Sequence, residues 1–390
     1  MSATSLPLAL YVHMPWCVKK CPYCDFNSHG LRGDPSYARY VDCLLADLDG
    51  DLADFADAVA GRRVHSVFFG GGTPSLFEPA LIGRFLAGLR QRVDLAADGE
   101  ITLETNPGTV EHGRFDGYLE AGVNRLSFGI QSFDDAALRR LGRIHSAAEA
   151  ADAVAQARAA GFEDINVDLM YALPEQSLDG ALRDLTRAMA LAPTHISHYQ
   201  LTLEPGTAFA RHPPPLPDDD AAWDMQEACQ ARLADGGYHQ YEVSAYARPG
   251  HRCAHNLNYW TFGDYLGIGA GAHGKVSART PNGDLRVCRR AKTRMPLAYM
   301  DRSGDARRVA DDKTIEATDL PFEYMLNALR LIDGTAWDDF CARTGLPGGA
   351  VDAVLAQARR RGWLDDDPRR LRTTALGQRF LNDVITLFMT

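Results

Sequence analysis

Three cysteines, Cys17, Cys21 and Cys24, occupy eight positions at the start of CVKKCPYCDF (17–26), close enough in sequence to share one metal centre. With His13 or His29 as a fourth ligand they would close a zinc tetrahedron, and as buried, unligated thiols they would need no metal. Holding a four-iron cluster, they would leave one iron without a protein ligand, open to an exogenous chelating molecule. Residues at the ends of later apolar segments decide between these readings. GGGTP (70–74), Glu104 and Asp168 stand there, and a closed structural zinc site has no use for a glycine turn, a glutamate and an aspartate around it. The cysteines are therefore read as ligands of a [4Fe–4S] cluster.

Such groups must be brought together by regular elements. Six segments rich in β-branched and aromatic residues recur with helical stretches between them: LALYVHM (8–14), HSVFFGGG (65–72), EITLETNP (100–107), RLSFGIQ (125–131), EDINVDLMY (163–171) and HISHYQLTLE (195–204). Near-continuous apolar strands joined by helical crossovers form a parallel sheet, so the pattern predicts an α/β fold built on a partial (β/α)6 barrel. Functional groups in such barrels gather at the C-terminal edge of the strands. The three cysteines follow the first strand, GGGTP closes the second, Glu104 the third and Gln131 the fourth, and Asp168 lies near the end of the fifth. Singly, each has a plainer reading: Gly70–Gly72 as a tight turn, Arg143 on a solvated helix face, Asp168 as a helix cap. Five strand ends carrying such groups together favour a site.

Beyond residue 205, RHPPPLPDDD reads as a linker, followed by a helix near 219–236 and an edge extension in YHQYEVSAYARPG. The Gly- and aromatic-rich stretch 251–274 predicts a structured loop near the barrel mouth. Amphipathic helices, a short apolar pair around WLDDDPRRLRTT and a last helix predict a small, mainly helical, winged-helix-like C-terminal domain. The expected division is 1–240 for the barrel, 241–310 for an extension carrying HNLNYW, and 311–390 for the C-terminal domain.

The 390 residues, 46% hydrophobic and 24% charged, suffice for an ordinary core in one large and one smaller domain. A net charge of −10 argues against a phosphate-backbone partner, so nucleic acid is not expected. Eight cysteines, five of them scattered singly (Cys43, Cys229, Cys253, Cys288, Cys341), do not suggest a disulfide framework and fit a reducing cytoplasm. MSATSLPLALYVHM has no basic n-region, and no apolar run reaches the ~20 residues a membrane-spanning helix requires. A soluble protein is expected.

CxxxCxYC after a first strand, followed by GGGTP, resembles the radical S-adenosylmethionine (SAM) superfamily. The resemblance implies that the amino and carboxylate groups of SAM chelate the open iron and that Tyr23 lies near the adenine. Tyr11 matches a SAM-contacting tyrosine. Gly71, Gly72 and Thr73 let the backbone approach the methionine end, Glu104 and Asp168 suit ribose hydroxyls or an ammonium group, and Gln131 and Arg143 suit the nucleoside and the SAM carboxylate.

YVHMPWC, FFGGGTPS, LETNP, RLSFGIQSF, NVDLMYALP and LTLEPGT, in order across residues 11–207, narrow the resemblance to the coproporphyrinogen-dehydrogenase-like branch. That branch holds oxygen-independent coproporphyrinogen III dehydrogenases, which decarboxylate two propionates, and HemW-type haem chaperones. The dehydrogenase pattern has a cysteine where this chain has Phe26, and a phenyl ring cannot do thiol chemistry. The dehydrogenase type also carries a longer arm before the position of Tyr11. HNLNYW (255–260) matches the HNxxYW motif of the chaperone type, which implies haem held by His255 with Asn256, Tyr259 and Trp260 about it. Cys253 and His251 are alternative ligands, and the plain reading is a hydrogen-bonded histidine among core aromatics.

The resemblance thus implies a cytoplasmic radical SAM haem chaperone that binds a [4Fe–4S] cluster, SAM and haem, with no catalytic residue assigned. It further implies a haem donor, haem-accepting respiratory proteins such as b-type cytochromes as recipients, a homodimer, and peripheral contact with the inner membrane. The rivals are a dehydrogenase that cleaves SAM to oxidise porphyrinogen propionates and a haem-degrading radical SAM methyltransferase.

Overall fold

The computed structural model describes residues 6–108, 115–280 and 282–389. Residues 1–5, part of the N-terminal stretch read above for a leader, lie outside them. The six apolar segments form strands Leu8–Met14, Arg63–Gly71, Asp94–Thr105, Arg125–Gln131, Asp164–Tyr171 and His195–Gln200, paired in that order and all parallel. Burial on both faces explains their composition: every residue of Leu8–Met14 except Tyr11 is buried. Helices Tyr37–Asp54, Pro79–Arg90, Ala147–Ala159 and Leu178–Ala190 are among the crossovers that return the chain to the same end. Their starts are written locally: Ser146 and Glu149 form a reciprocal capping box, and Ser177 accepts from the Gly180 amide. The result is a partial (β/α)6 barrel whose C-terminal strand ends share one edge.

The sheet continues at both sides. The hairpin His239–Glu242 and Ala245–Ala247 adds antiparallel to the sixth strand. On the other side, Asp264–Ile268 pairs parallel to the first strand, and His273–Arg279, Leu285–Lys292 and Val309–Thr314 follow antiparallel. The stretch 251–274, expected as a structured loop near the mouth, is instead helix Ala254–Trp260 followed by sheet strands. Its glycines serve close approach rather than looping: a Cβ at Gly267 would run into the His273 carbonyl.

A buried ion cluster ties this extension to the first helix. Lys292 Nζ donates to Asp47 at 2.5 Å and Asp51 at 2.6 Å, and Arg290 and Arg308 also pair with Asp51. Tyr299 donates to Asp47 at 2.8 Å. A separate apolar core, including Leu320, Tyr324, Phe340, Leu355 and Val384, holds the C-terminal helices. There the short strands Thr335–Ala336 and Arg370–Leu371 pair antiparallel, giving the winged-helix-like arrangement.

Candidate cofactor site at the barrel mouth

The first strand runs directly into the cysteine loop, and the GGGTP turn is sewn to its root. Gly72 N–H donates to Met14 O and Thr73 N–H to Trp16 O, both at 2.8 Å. Only glycine fits here: a Cβ on Gly72 would stand 2.5 Å from Trp16 O, and Gly71 adopts φ 111°, where its Cβ would strike the His13 ring. The turn points the Gly71 amide at Glu104, whose Oε2 accepts it at 3.1 Å.

Cys17, Cys21 and Cys24 are all free thiols, partly exposed on this loop. Cys24 N–H donates to Cys21 O at 3.2 Å, which curls the loop, and Cys24 Sγ lies 3.6 Å from Ser28 Oγ. Burial pushes the Cys17 and Cys24 thiols up, so occupation by a metal cluster releases protons. Arg143 approaches Cys21 Sγ at 3.7 Å and also donates to Asn106 Oδ1 and Gly129 O, while its Nε has no hydrogen-bond partner among the described residues.

Cys17, Cys21, Cys24, Tyr23, Gly71, Gly72, Thr73, Glu104, Gln131, Arg143 and Asp168 line one cavity. Burial, with the charge of Asp168 behind it, pushes Glu104 up to about 8. Burial also raises Asp168, although Asn166 Nδ2 donates to it at 2.8 Å and Ser127 Oγ at 3.3 Å. Gln131, held at φ 73°, accepts from the Tyr199 hydroxyl at 2.8 Å. Burial raises Tyr23 as well, keeping its phenol neutral. The cavity therefore combines a three-thiol donor set, a glycine cradle that any Cβ would fill, a guanidinium with an unspent N–H and two carboxyls. That chemistry fits a cluster with one open iron and a zwitterionic nucleoside ligand. Asn106, Ser127 and Tyr199 join this wall without having been singled out in the sequence, although Asn106 stands in LETNP and Tyr199 in HISHYQ.

A second, open cavity of about 580 Å3 adjoins the first and shares Phe26, Gly71 and Glu104 with it. Tyr11 lies here, with Tyr259, Tyr265 and His273. Tyr11 donates to His13 Nδ1 at 3.0 Å, and His13 Nε2 donates to Asn27 O at 3.0 Å.

HNLNYW starts towards the other end of the barrel, and its Tyr259 reaches back to the mouth cavity. Both carboxylate oxygens of Glu100 accept the amides that start its helix, Ala254 and His255, each at 2.9 Å. His255 is 1% exposed, its Nδ1 3.1 Å from Ser66 Oγ and its Nε2 2.8 Å from the Tyr259 hydroxyl. Burial lowers it to about 3, so it is neutral. Ser66 and Glu100 face each other in register, toward the start of the second strand and below Glu104 on the third, so the helix seats at the N-terminal end. An axial bond from His255 to iron requires one of its two hydrogen bonds to break. Asn256 faces an inner chamber shared with Glu104 and Asp168, and Trp260 lies under the Arg330 guanidinium, 4.3 Å from the ring centre. Of the alternative ligands, Cys253 is buried against Glu100 and His251 pairs with Asp164.

Residues 11–186 match the radical SAM superfamily model and residues 315–380 the HemN C-terminal domain. The chain is 49% identical over 383 residues to the heme chaperone HemW of Escherichia coli K12, covering 98% of both chains. It is 47% identical over 384 residues to the heme chaperone HemW of Haemophilus influenzae, again covering 98% of each. Among solved structures, coproporphyrinogen III oxidase (HemN) from Escherichia coli, a radical SAM enzyme, superposes with a TM-score of 0.81 at 26% identity, over 99% of this chain and 91% of that one.

Proposed function

We infer, from a chain that belongs to the HemW haem-chaperone family of the radical SAM superfamily, that this protein carries haem and delivers it to haem-requiring proteins. The observation that carries the reading is the full-length likeness to heme chaperones together with Phe26, which occupies the place of the dehydrogenase cysteine and stands, 60% exposed, on the wall between the two cavities. A phenyl ring there offers a face for stacking and no thiol for redox work.

Cys17, Cys21 and Cys24 hold the [4Fe–4S] cluster in this reading. When bound, the cluster supplies an open iron for SAM and an electron for its sulfonium. The chain's own residues position the nucleoside. The Gly71–Gly72 backbone admits the methionine end, Arg143 offers its unspent N–H to the carboxylate, and Glu104 and Asp168 face hydroxyl or ammonium groups. Glu104, protonated at neutral pH without a ligand, gives up its proton when a cation settles beside it. The recipients are respiratory haem proteins, a haem donor stands upstream, and the carrier works as a cytoplasmic homodimer that touches the inner membrane from its surface. No helix among the described residues is long and apolar enough to cross a membrane.

The test is transfer. Haem-loaded protein mixed with an apo b-type cytochrome should convert it to the holo form faster than free haem does when a haem scavenger is present. Equal rates sink the carrier reading. A dehydrogenase reading draws on the fold likeness to coproporphyrinogen III oxidase. Decarboxylated porphyrinogen formed by the unaltered chain with SAM and reductant would establish it.

A further inference from the structure

We propose that the outer face of the cysteine loop is the docking surface for a small acidic protein that carries single electrons, with Lys20, Arg211 and Arg294 as its charged contacts; the proposal rests on the cluster reading above. A third cavity, open and about 710 Å3 in volume, lies on this face. Cys21 and Cys24 line it and also line the cofactor cavity behind it, so the loop that carries them is the partition between the two. Cys17 borders the inner side alone. A partner seated in the outer groove thus meets two of the three cluster-ligand residues directly.

The groove's charge is opposite to that of the chain. Lys20, Arg211 and Arg294 line it against a single carboxylate, Asp25, in a protein of net charge −10. All three cations are exposed and have no ion-pair partner among the described residues, whereas other exposed arginines do: Arg39 pairs with Asp301 and Arg63 with Asp94. Lys20 Nζ donates to Phe26 O at 2.9 Å and Arg211 to Gly206 O at 3.4 Å, which holds both heads at the rim. Burial, and then the charges of Lys20 and Arg294, lower the pKa of His29 on the same wall, a local sign of the positive field. Phe26 and Met295, 60% and 59% exposed, give the groove an apolar centre. An apolar centre inside a charged rim suits brief electron-transfer encounters, whose interfaces stay under ~1,200 Å2 and whose approach is steered by charge. An anionic bilayer matches the charge but supplies no electron. The step served here moves one electron and no atoms: the carrier is oxidised by one, the cluster is reduced by one, and no bond forms or breaks.

The experiment follows reduction of the cluster-reconstituted full chain, anaerobic and free of haem, by stopped-flow absorbance. The acidic probe is a reduced plant-type [2Fe–2S] ferredoxin, and photoreduced deazaflavin is the small donor that needs no docking. In Lys20→Glu/Arg211→Glu/Arg294→Glu the second-order rate with ferredoxin should fall ~10-fold or more at low salt and lose its salt dependence, while the rate with deazaflavin stays within ~2-fold. Binding gives a readout apart from electron transfer: the dissociation constant for oxidised ferredoxin, measured by calorimetry, should rise in parallel. Arg211→Glu alone, on a helix outside the cysteine loop, should slow ferredoxin ~3-fold and carries the test where the triple variant loads poorly with cluster. Ferredoxin rates and affinity equal to those of the unaltered chain overturn the proposal. If those variants instead lose binding to vesicles of anionic phospholipid, the face belongs to a lipid surface. An unaltered chain that deazaflavin cannot reduce overturns the cluster reading, and the docking proposal with it.

Discussion

The two cavities at the barrel mouth share Phe26, Gly71 and Glu104 but are built on different plans. Around the cysteines the polar groups interlock: Gly71 with Glu104, Gln131 with Tyr199, Arg143 with Asn106, Gly129 and Cys21. Next door the wall is aromatic, open to solvent, and carries an imidazole without a hydrogen-bond partner among the described residues. Both walls carry fixed polar groups, Tyr11, His13 and Asn27 among them on the second, and they differ chiefly in the aromatic faces of Tyr11, Phe26, Tyr259 and Tyr265 that line the second cavity.

The most direct way to break this contrast is Cys24→Ser. It should abolish cluster reconstitution, read as iron and sulfide content and the visible absorbance of the cluster, while haem affinity changes by less than about 3-fold if the cavities act independently. Loss of haem binding in step with the cluster would merge the two sites. Gly72→Ala forces a methyl group to within 2.5 Å of Trp16 O and should destabilise the fold by about 2–4 kcal/mol in a denaturant titration, with SAM binding reduced more than haem binding. Equal stability would mean that the turn yields easily and is no cradle.

The gentlest probe is Glu104, pushed from its ordinary 4.5 up to about 8. Between those values the folded, ligand-free protein holds a proton that the unfolded chain has released, so this group makes stability fall as pH rises through the interval. Below it the effect is absent, because the carboxyl is neutral in both states. Glu104→Gln should flatten the decline by on the order of 1–2 kcal/mol near pH 8, a figure kept small because the side chain borders an open cavity. An unchanged pH profile would place the carboxylate in contact with bulk water and remove it from the interlocked set.

The barrel was legible because strands such as the first and fourth are buried almost throughout and five of the six strand ends carry an unusual polar group, so LALYVHM and RLSFGIQ announce both element and edge. The stretch 251–274 was misread because glycine and aromatic content is ambiguous between looping and tight packing. Gly267 and Gly269 let backbones of neighbouring segments meet, which no local signal distinguishes from a turn. HNLNYW was equally ambiguous. A histidine four residues before a tyrosine puts both on one helix face, and only the neighbouring strand decides that Ser66 occupies the other ring nitrogen.

The Ala254–Trp260 helix, seated at the N-terminal end of the strands, has a consequence for traffic. It stands between an inner chamber, which Asn256 lines, and the mouth cavity, which Tyr259 lines, while Phe26, Gly71 and Glu104 form a wall common to the two mouth cavities. Ligands that share a wall press on the same side chains, so the order in which two of them arrive becomes a quantity that the fold itself can set.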